Sequence, residues 1–165
     1  MAFLFGAFAV LAAMVAAGWT VPLDHAVTTA AVAGRTSLLS EVAVNVTALG
    51  SAPLVALIVA IVAAYCLLTG RRRFALALAG TPLVFLVNAL MKVVVGNPRP
   101  TAALVALPGS YGFPSGHSAA ASALYLTLAL LAAAGDPRPG ARRLLVGAGL
   151  GIALLVGWSR VYLGV

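Results

Sequence analysis

Long apolar runs constrain this chain more than any other feature. Five segments, at residues 2–19, 52–69, 74–95, 116–134 and 144–163, carry almost no charge. Each is close to the ~20 residues that an α-helix needs to cross a hydrocarbon core. Of the 165 residues, 63% are hydrophobic and 8% charged, which excludes an ordinary soluble core. In lipid the backbone must satisfy its own hydrogen bonds, so these runs predict helices. The expected fold class is all-α: a polytopic transmembrane helix bundle of about five spans.

The segment 20–51 is more polar and holds Asp24, His25, Arg35 and Glu41. Val27, Ala31, Leu38 and Val42 recur at loosely helical spacing, which predicts one or two amphipathic helices near the membrane surface. Gly50-Ser51-Ala52-Pro53 then breaks the chain before the second span. The N-terminus is apolar but lacks a basic leading region, so it reads as a retained span and not a cleaved signal peptide.

Charge orients the bundle. Ten Lys and Arg stand against three acids, a formal net charge of +7. Most of the arginines sit in short loops between apolar runs, which argues for membrane orientation and against a nucleic-acid partner. Arg71, Arg72 and Arg73 join spans two and three, and Arg138, Arg142 and Arg143 join spans four and five. Both loops are therefore expected on the cytoplasmic side. Residues 20–51, residues 96–115 and the end of span five then lie on the opposite side. Trp19 and Trp158 sit at those outer ends, where indoles favour the interface.

Three features are read as structural. Cys66 is one small residue in an apolar run, with no partner for an intramolecular disulfide. Gly147-x-x-x-Gly151 is a pattern that permits close helix packing. Asn45-Val46-Thr47 fits a glycosylation sequon, which has meaning only in a eukaryotic secretory setting. Asp24 and His25 are likewise assigned structural roles.

Against this apolar background, three polar blocks fall at predicted helix ends on the non-cytoplasmic side. Lys92 and Arg99 are seven residues apart, about 10 Å along a helix axis. Gly96-Asn97-Pro98 is expected to end that helix before Arg99. Both side chains are long enough to converge on one anion, Arg as a planar fork and Lys as a compact charge. They could equally snorkel to headgroups. In the second block Ser115 suits an N-cap, and Gly116 lets a ligand approach the backbone. A helix N-terminus favours phosphate, and His117 in its first turn could protonate a leaving alkoxide. Ser159-Arg160, the third block, closes span five.

Lys92-x6-Arg99-Pro100, Pro114-Ser115-Gly116-His117 and Ser159-Arg160 together resemble the tripartite signature of the type 2 phosphatidic acid phosphatase superfamily. That group includes bacterial lipid-phosphate and undecaprenyl-diphosphate phosphatases and the vanadium haloperoxidases. The resemblance runs from Lys92 to the last residue and implies one phosphatase-like domain over residues 1–165. It implies that Lys92, Arg99 and Arg160 hold phosphate oxygens, with donors from Ser115 and the Gly116 N–H. His117 would be the general acid. It implies no metal and no cofactor. The implied partners are the bilayer and a phosphorylated lipid: phosphatidic acid, phosphatidylglycerol phosphate or polyprenyl diphosphate. The implied setting is a bacterial cell membrane, with the site on the non-cytoplasmic face. The oligomeric state is left open.

In the family pattern, Ser-Arg-x5-His-x3-Asp, a second histidine is the nucleophile and forms a phosphohistidine. Counting from Arg160 places it at position 166, and this sequence ends at Val165. The expectation is therefore a fragment or truncated chain, inactive as it stands, lacking the sixth span of the family. Two other readings stay open: a non-catalytic lipid-phosphate binder, and a small transporter or structural bundle whose polar residues are interfacial anchors.

Overall fold

The computed structural model describes residues 2–98, 104, 111–135 and 137–165, with side chains from residue 6 onward. Eight helices run through the described residues: α1 (Ala2–Ala16), α2 (Val21–Ala33), α3 (Ser37–Ala48), α4 (Ala52–Leu68), α5 (Arg72–Ala79), α6 (Leu83–Val95), α7 (Gly116–Gly135) and α8 (Pro139–Leu163). Three stretches are long and apolar enough to cross a membrane unaided: Arg72–Val95, Gly116–Gly135 and Pro139–Leu163. Two bent pairs reach that length only together. Gly6–Ala16 and Val21–Ala33 meet at 88°, and Ser37–Ala48 and Ala52–Leu68 at 45°. With each pair taken as one span the total is five, and the protein is an all-α integral membrane bundle.

Local chemistry explains the breaks. Thr36 is extended at the start of α3, and its hydroxyl accepts from Leu39 N–H at 3.3 Å. Pro53 in the first turn of α4 removes an N–H just where a helix can spare one. The expected span 74–95 begins earlier, at Arg72, and divides at Gly80-Thr81-Pro82. Pro82 cannot continue the i→i−4 ladder, and a run of i→i−3 bonds replaces it: Thr81 to Leu78, Leu83 to Gly80 and Val84 to Thr81. The last helix also starts earlier than expected. Pro139 opens it, so Arg142 and Arg143 lie in its first turns and not in a loop.

Large apolar side chains are exposed to a degree unlike that of a soluble protein. Leu68 is 88% exposed and Leu144 75%, the exposure expected of side chains that meet lipid tails. Thr81, Asn88, Ser159 and Arg160 are buried. One apolar cluster joins α4, α5 and α7 through Val55, Val59, Leu78, Ala120 and Leu124. A second joins α3 to α8 through Ala43, Tyr162 and Leu163.

The longest helix contact is α7 against α8. Its tight point is Gly149, where an added Cβ would lie 2.6 Å from Ala129 Cβ and 2.7 Å from the Tyr125 carbonyl oxygen. Gly147 and Gly151, the pair that the sequence singled out, have nothing within 4 Å of such a Cβ. They lie two residues from Gly149 on either side, more than half a turn around the helix, so the small-residue pattern falls on the wrong side of it.

The two helices expected within 20–51 both form and divide near Gly34. Their packed face differs from the expected one. Val27, Leu38 and Val42 point outward, whereas Ala43 is fully buried, and Ser40 and Thr47 are partly so. Where the surroundings are as apolar as the interior, an apolar face gains nothing by turning inward.

Candidate active site

The site is assembled where α6 ends, α7 begins and α8 ends. Gly96 closes α6 in the left-handed region, at φ +65°, and its N–H donates to the Lys92 carbonyl. This cap suits glycine, which has no Cβ to clash there. Gly164 closes α8 in the same way at φ +73°, and Val165 N–H returns to the Arg160 carbonyl at 3.0 Å. The loop after α6 is closed on itself and tied to the end of α8. Gly112 N–H donates to the Asn97 carbonyl at 2.8 Å, and Leu104 N–H donates to the Leu163 carbonyl at 3.0 Å.

Lys92 is half-buried in the last turn of α6, and its Nζ donates to the Tyr111 carbonyl. That bond draws the ammonium towards the loop preceding α7. Ser115 stands at the N-cap of α7, where its Oγ accepts from Ser118 N–H at 3.5 Å and from Ser118 Oγ at 3.2 Å. Gly116 is the first residue of the helix. A Cβ there would come within 3.4 Å of Asn88 Oδ1, so the small residue lets α6 approach. His117 is half-buried in the same turn. Arg160 is 8% exposed, and its Nη1 donates to Thr47 Oγ1 at 3.0 Å. Arg99 lies outside the described residues.

Four groups join these blocks, and the sequence reading placed none of them in the site. Asn88, 7% exposed, donates from Nδ2 to the Pro114 carbonyl at 3.3 Å and so fixes the loop ahead of Ser115. Gly50 is buried against the His117 backbone, and a Cβ there would fall 2.5 Å from its carbonyl oxygen and 3.0 Å from Val156 Cγ1. Thr47, three residues earlier, holds Arg160. Arg35 donates from Nε and Nη2 to the Tyr162 carbonyl at 3.3 and 3.1 Å, satisfying an orphan acceptor at the end of α8. Asn88 did carry a signal: it is a polar residue in an apolar span, one turn before Lys92 on the same face.

Other polar residues stay apart. Ser159 is fully buried, and its Oγ donates to the Val156 carbonyl at 2.7 Å within its own helix. Asp24 accepts from Thr20 Oγ1 at 2.8 Å at the start of α2, and His25 is exposed on that helix. No three His, Cys, Asp or Glu side chains come together among the described residues. The gathered groups are thus cationic side chains, a helix N-terminus and a histidine. The positive dipole end and N–H groups of that helix add to Lys92 and Arg160, so the arrangement suits an anion rather than a cation.

Known proteins resemble this chain in sequence and fold. The family model of the PAP2 superfamily matches residues 53–165. Phosphatidylglycerophosphatase B of Bacillus subtilis (strain 168) is 33% identical over 166 residues, which cover 98% of this chain and 81% of that protein. The crystal structure of a transmembrane PAP2-type phosphatidylglycerolphosphate phosphatase from Bacillus subtilis matches at a TM-score of 0.90 and 31% identity. That match covers 99% of this chain and 83% of the other. These matches establish that this integral membrane protein belongs to the PAP2 superfamily.

Proposed function

We propose that this protein hydrolyses a lipid phosphate, with phosphatidylglycerol phosphate the first substrate to test. Membership of the superfamily together with 33% identity to a phosphatidylglycerophosphatase supports a phosphatase. The likeness to a phosphatidylglycerophosphatase supports the lipid and the headgroup, and phosphatidic acid and polyprenyl diphosphate present the same phosphate chemistry. The observation that carries the reading is the meeting of Lys92, the N-terminal turn of α7 and the end of α8 at one end of the bundle.

In this reading Lys92, Arg99 and Arg160 hold the phosphoryl oxygens, with Ser115 and the Gly116 N–H as further donors. Positive groups fixed in advance favour the charge that gathers on those oxygens during in-line displacement. The nucleophile is an imidazole at position 166, the place given by the family pattern. Its nitrogen bonds to phosphorus as the phosphorus–oxygen bond to the lipid breaks, and His117 gives its proton to the departing alkoxide. Water then attacks the phosphorus of the phosphohistidine and His117 takes a proton from it, while the phosphorus–nitrogen bond breaks, which returns the imidazole and frees phosphate. No metal takes part. The arginines clustered at the other end of the helices favour a site on the non-cytoplasmic face of a bacterial cell membrane.

The test is phosphate release from phosphatidylglycerol phosphate in detergent micelles, with chelator present, by the chain continued through a histidine at position 166. Release that falls by at least ~100-fold in His117→Ala supports the acid role, because general acids contribute about 10²–10⁴-fold. No release by that continued chain would sink the enzyme reading, and so would release indifferent to His117→Ala. Affinity for the lipid without turnover would leave a binding protein instead.

A further inference from the structure

Arg160 is held from a different helix. Its Nη1 reaches Thr47 Oγ1 at 3.0 Å, in the last turn of α3. The other end of α3 is fastened to α8 as well. Thr36 N–H donates to the Tyr162 hydroxyl at 3.0 Å, and Ser40 Oγ lies 3.4 Å from that hydroxyl. Ala43, between them, is fully buried against Tyr162 and Leu163. Thr36, Ser40, Ala43 and Thr47 follow at steps of four, three and four, so they form one stripe along the helix. Beyond Thr47 the chain runs to Gly50, which rests on the His117 carbonyl. The end of α3 is therefore fixed against α8 on one side and against the His117 turn on the other.

We propose that Thr47 is a positioning residue that sets the Arg160 guanidinium for phosphate. The inference rests on the reading of Arg160 as a phosphate ligand. A guanidinium is a planar fork, and an acceptor at one Nη fixes its rotation as well as its place. Arginine has many rotamers, and a side chain ordered before the anion arrives loses less freedom on binding it. A hydroxyl suits this task because it accepts a hydrogen bond without adding a negative charge that would compete with phosphate. A carboxylate at the same place would neutralise the arginine.

Titration of the purified chain in detergent with inorganic phosphate and with short-chain phosphatidic acid tests this. Thr47→Val keeps the shape and removes the acceptor, and both ligands should bind about tenfold more weakly, the scale of one hydrogen bond to a charged group. Thr47→Ser keeps the hydroxyl and should stay within about twofold of wild type. In an Arg160→Ala background, Thr47→Val should cause no further loss, because residues that act through one another are not additive. An additive loss would mark a merely structural threonine and overturn the proposal, as would Thr47→Ser behaving like Thr47→Val. If Arg160→Ala weakens binding but Thr47→Val does not, the Thr47 role alone is wrong. If Arg160→Ala binds phosphate like wild type, Arg160 is not a ligand, and both the reading of Arg160 and the role of Thr47 fall. Thr47→Ala serves in place of Thr47→Val if the latter does not fold.

Discussion

Helix α8 meets two of its neighbours, α7 and α3, in different ways. In its middle it meets α7 through Gly149, with backbone and small side chains in direct contact. At its C-terminal end Tyr162 accepts from Arg35 and Thr36 just ahead of α3, and Arg160 donates to Thr47 within α3. Lipid tails are as apolar as leucine, so burial of apolar surface gives little drive for two helices to associate in a membrane. Close packing of small residues and hydrogen bonds between helices remain, and α8 uses one in each place. The packed middle forms the scaffold, whereas the hydrogen-bonded end carries Arg160. The difference shows where this bundle is held together and where its chemistry is held in place.

The largest effect should come from the packed middle. Gly149→Val places branched atoms where even one Cβ lies 2.6 Å from Ala129, so the α7–α8 crossing must open. Overpacking typically costs ~1–3 kcal/mol and at times more. The thermal unfolding midpoint in detergent should fall clearly, while Gly147→Val and Gly151→Val on the same helix leave it near wild type. Equal damage at Gly151 would break the assignment of the crossing. Next comes Asn88→Leu, which leaves the Pro114 carbonyl without its side-chain donor. An unmet buried acceptor costs about 1–3 kcal/mol. Phosphate affinity should fall together with the midpoint, because the loop that carries Ser115 is released. A midpoint loss with phosphate affinity intact would make Asn88 a packing residue only. The smallest effect is expected from Tyr162→Phe, which removes one hydroxyl from the α3–α8 contact. Hydrogen bonds between membrane helices are worth ~1 kcal/mol, so a small drop in the midpoint is expected. A drop as large as that of Gly149→Val would erase the contrast between the two halves of α8.

Apolar length made the spans legible in the sequence, and the charged loops gave an orientation. The motif residues Lys92, Ser115, Gly116, His117 and Arg160 could be named because each block is local and its spacing is specific. Partners across the fold were harder to see. Thr47 lies 113 residues from Arg160 and resembles any other threonine on a polar stretch. Asn88 could have been noticed as a polar residue in a span, although its partner, Pro114, lies 26 residues away. The division at Gly80-Thr81-Pro82 also had a visible cause in Pro82, hidden within an otherwise continuous apolar run.

The sequence by itself determined that the chain is helical and membrane-embedded, because lipid admits few other backbone solutions. It also determined the superfamily, because the first two blocks with their spacing are specific. Only the tertiary structure decided which face of each helix packs. In a soluble protein the apolar face turns inward and periodicity reveals it. Here lipid and interior are alike, so the packed faces are those with a glycine at the crossing or a hydrogen-bond partner in reach. That is why Gly149 makes the crossing and not Gly147 or Gly151, and why the polar stripe of α3 turns towards α8 and Arg160.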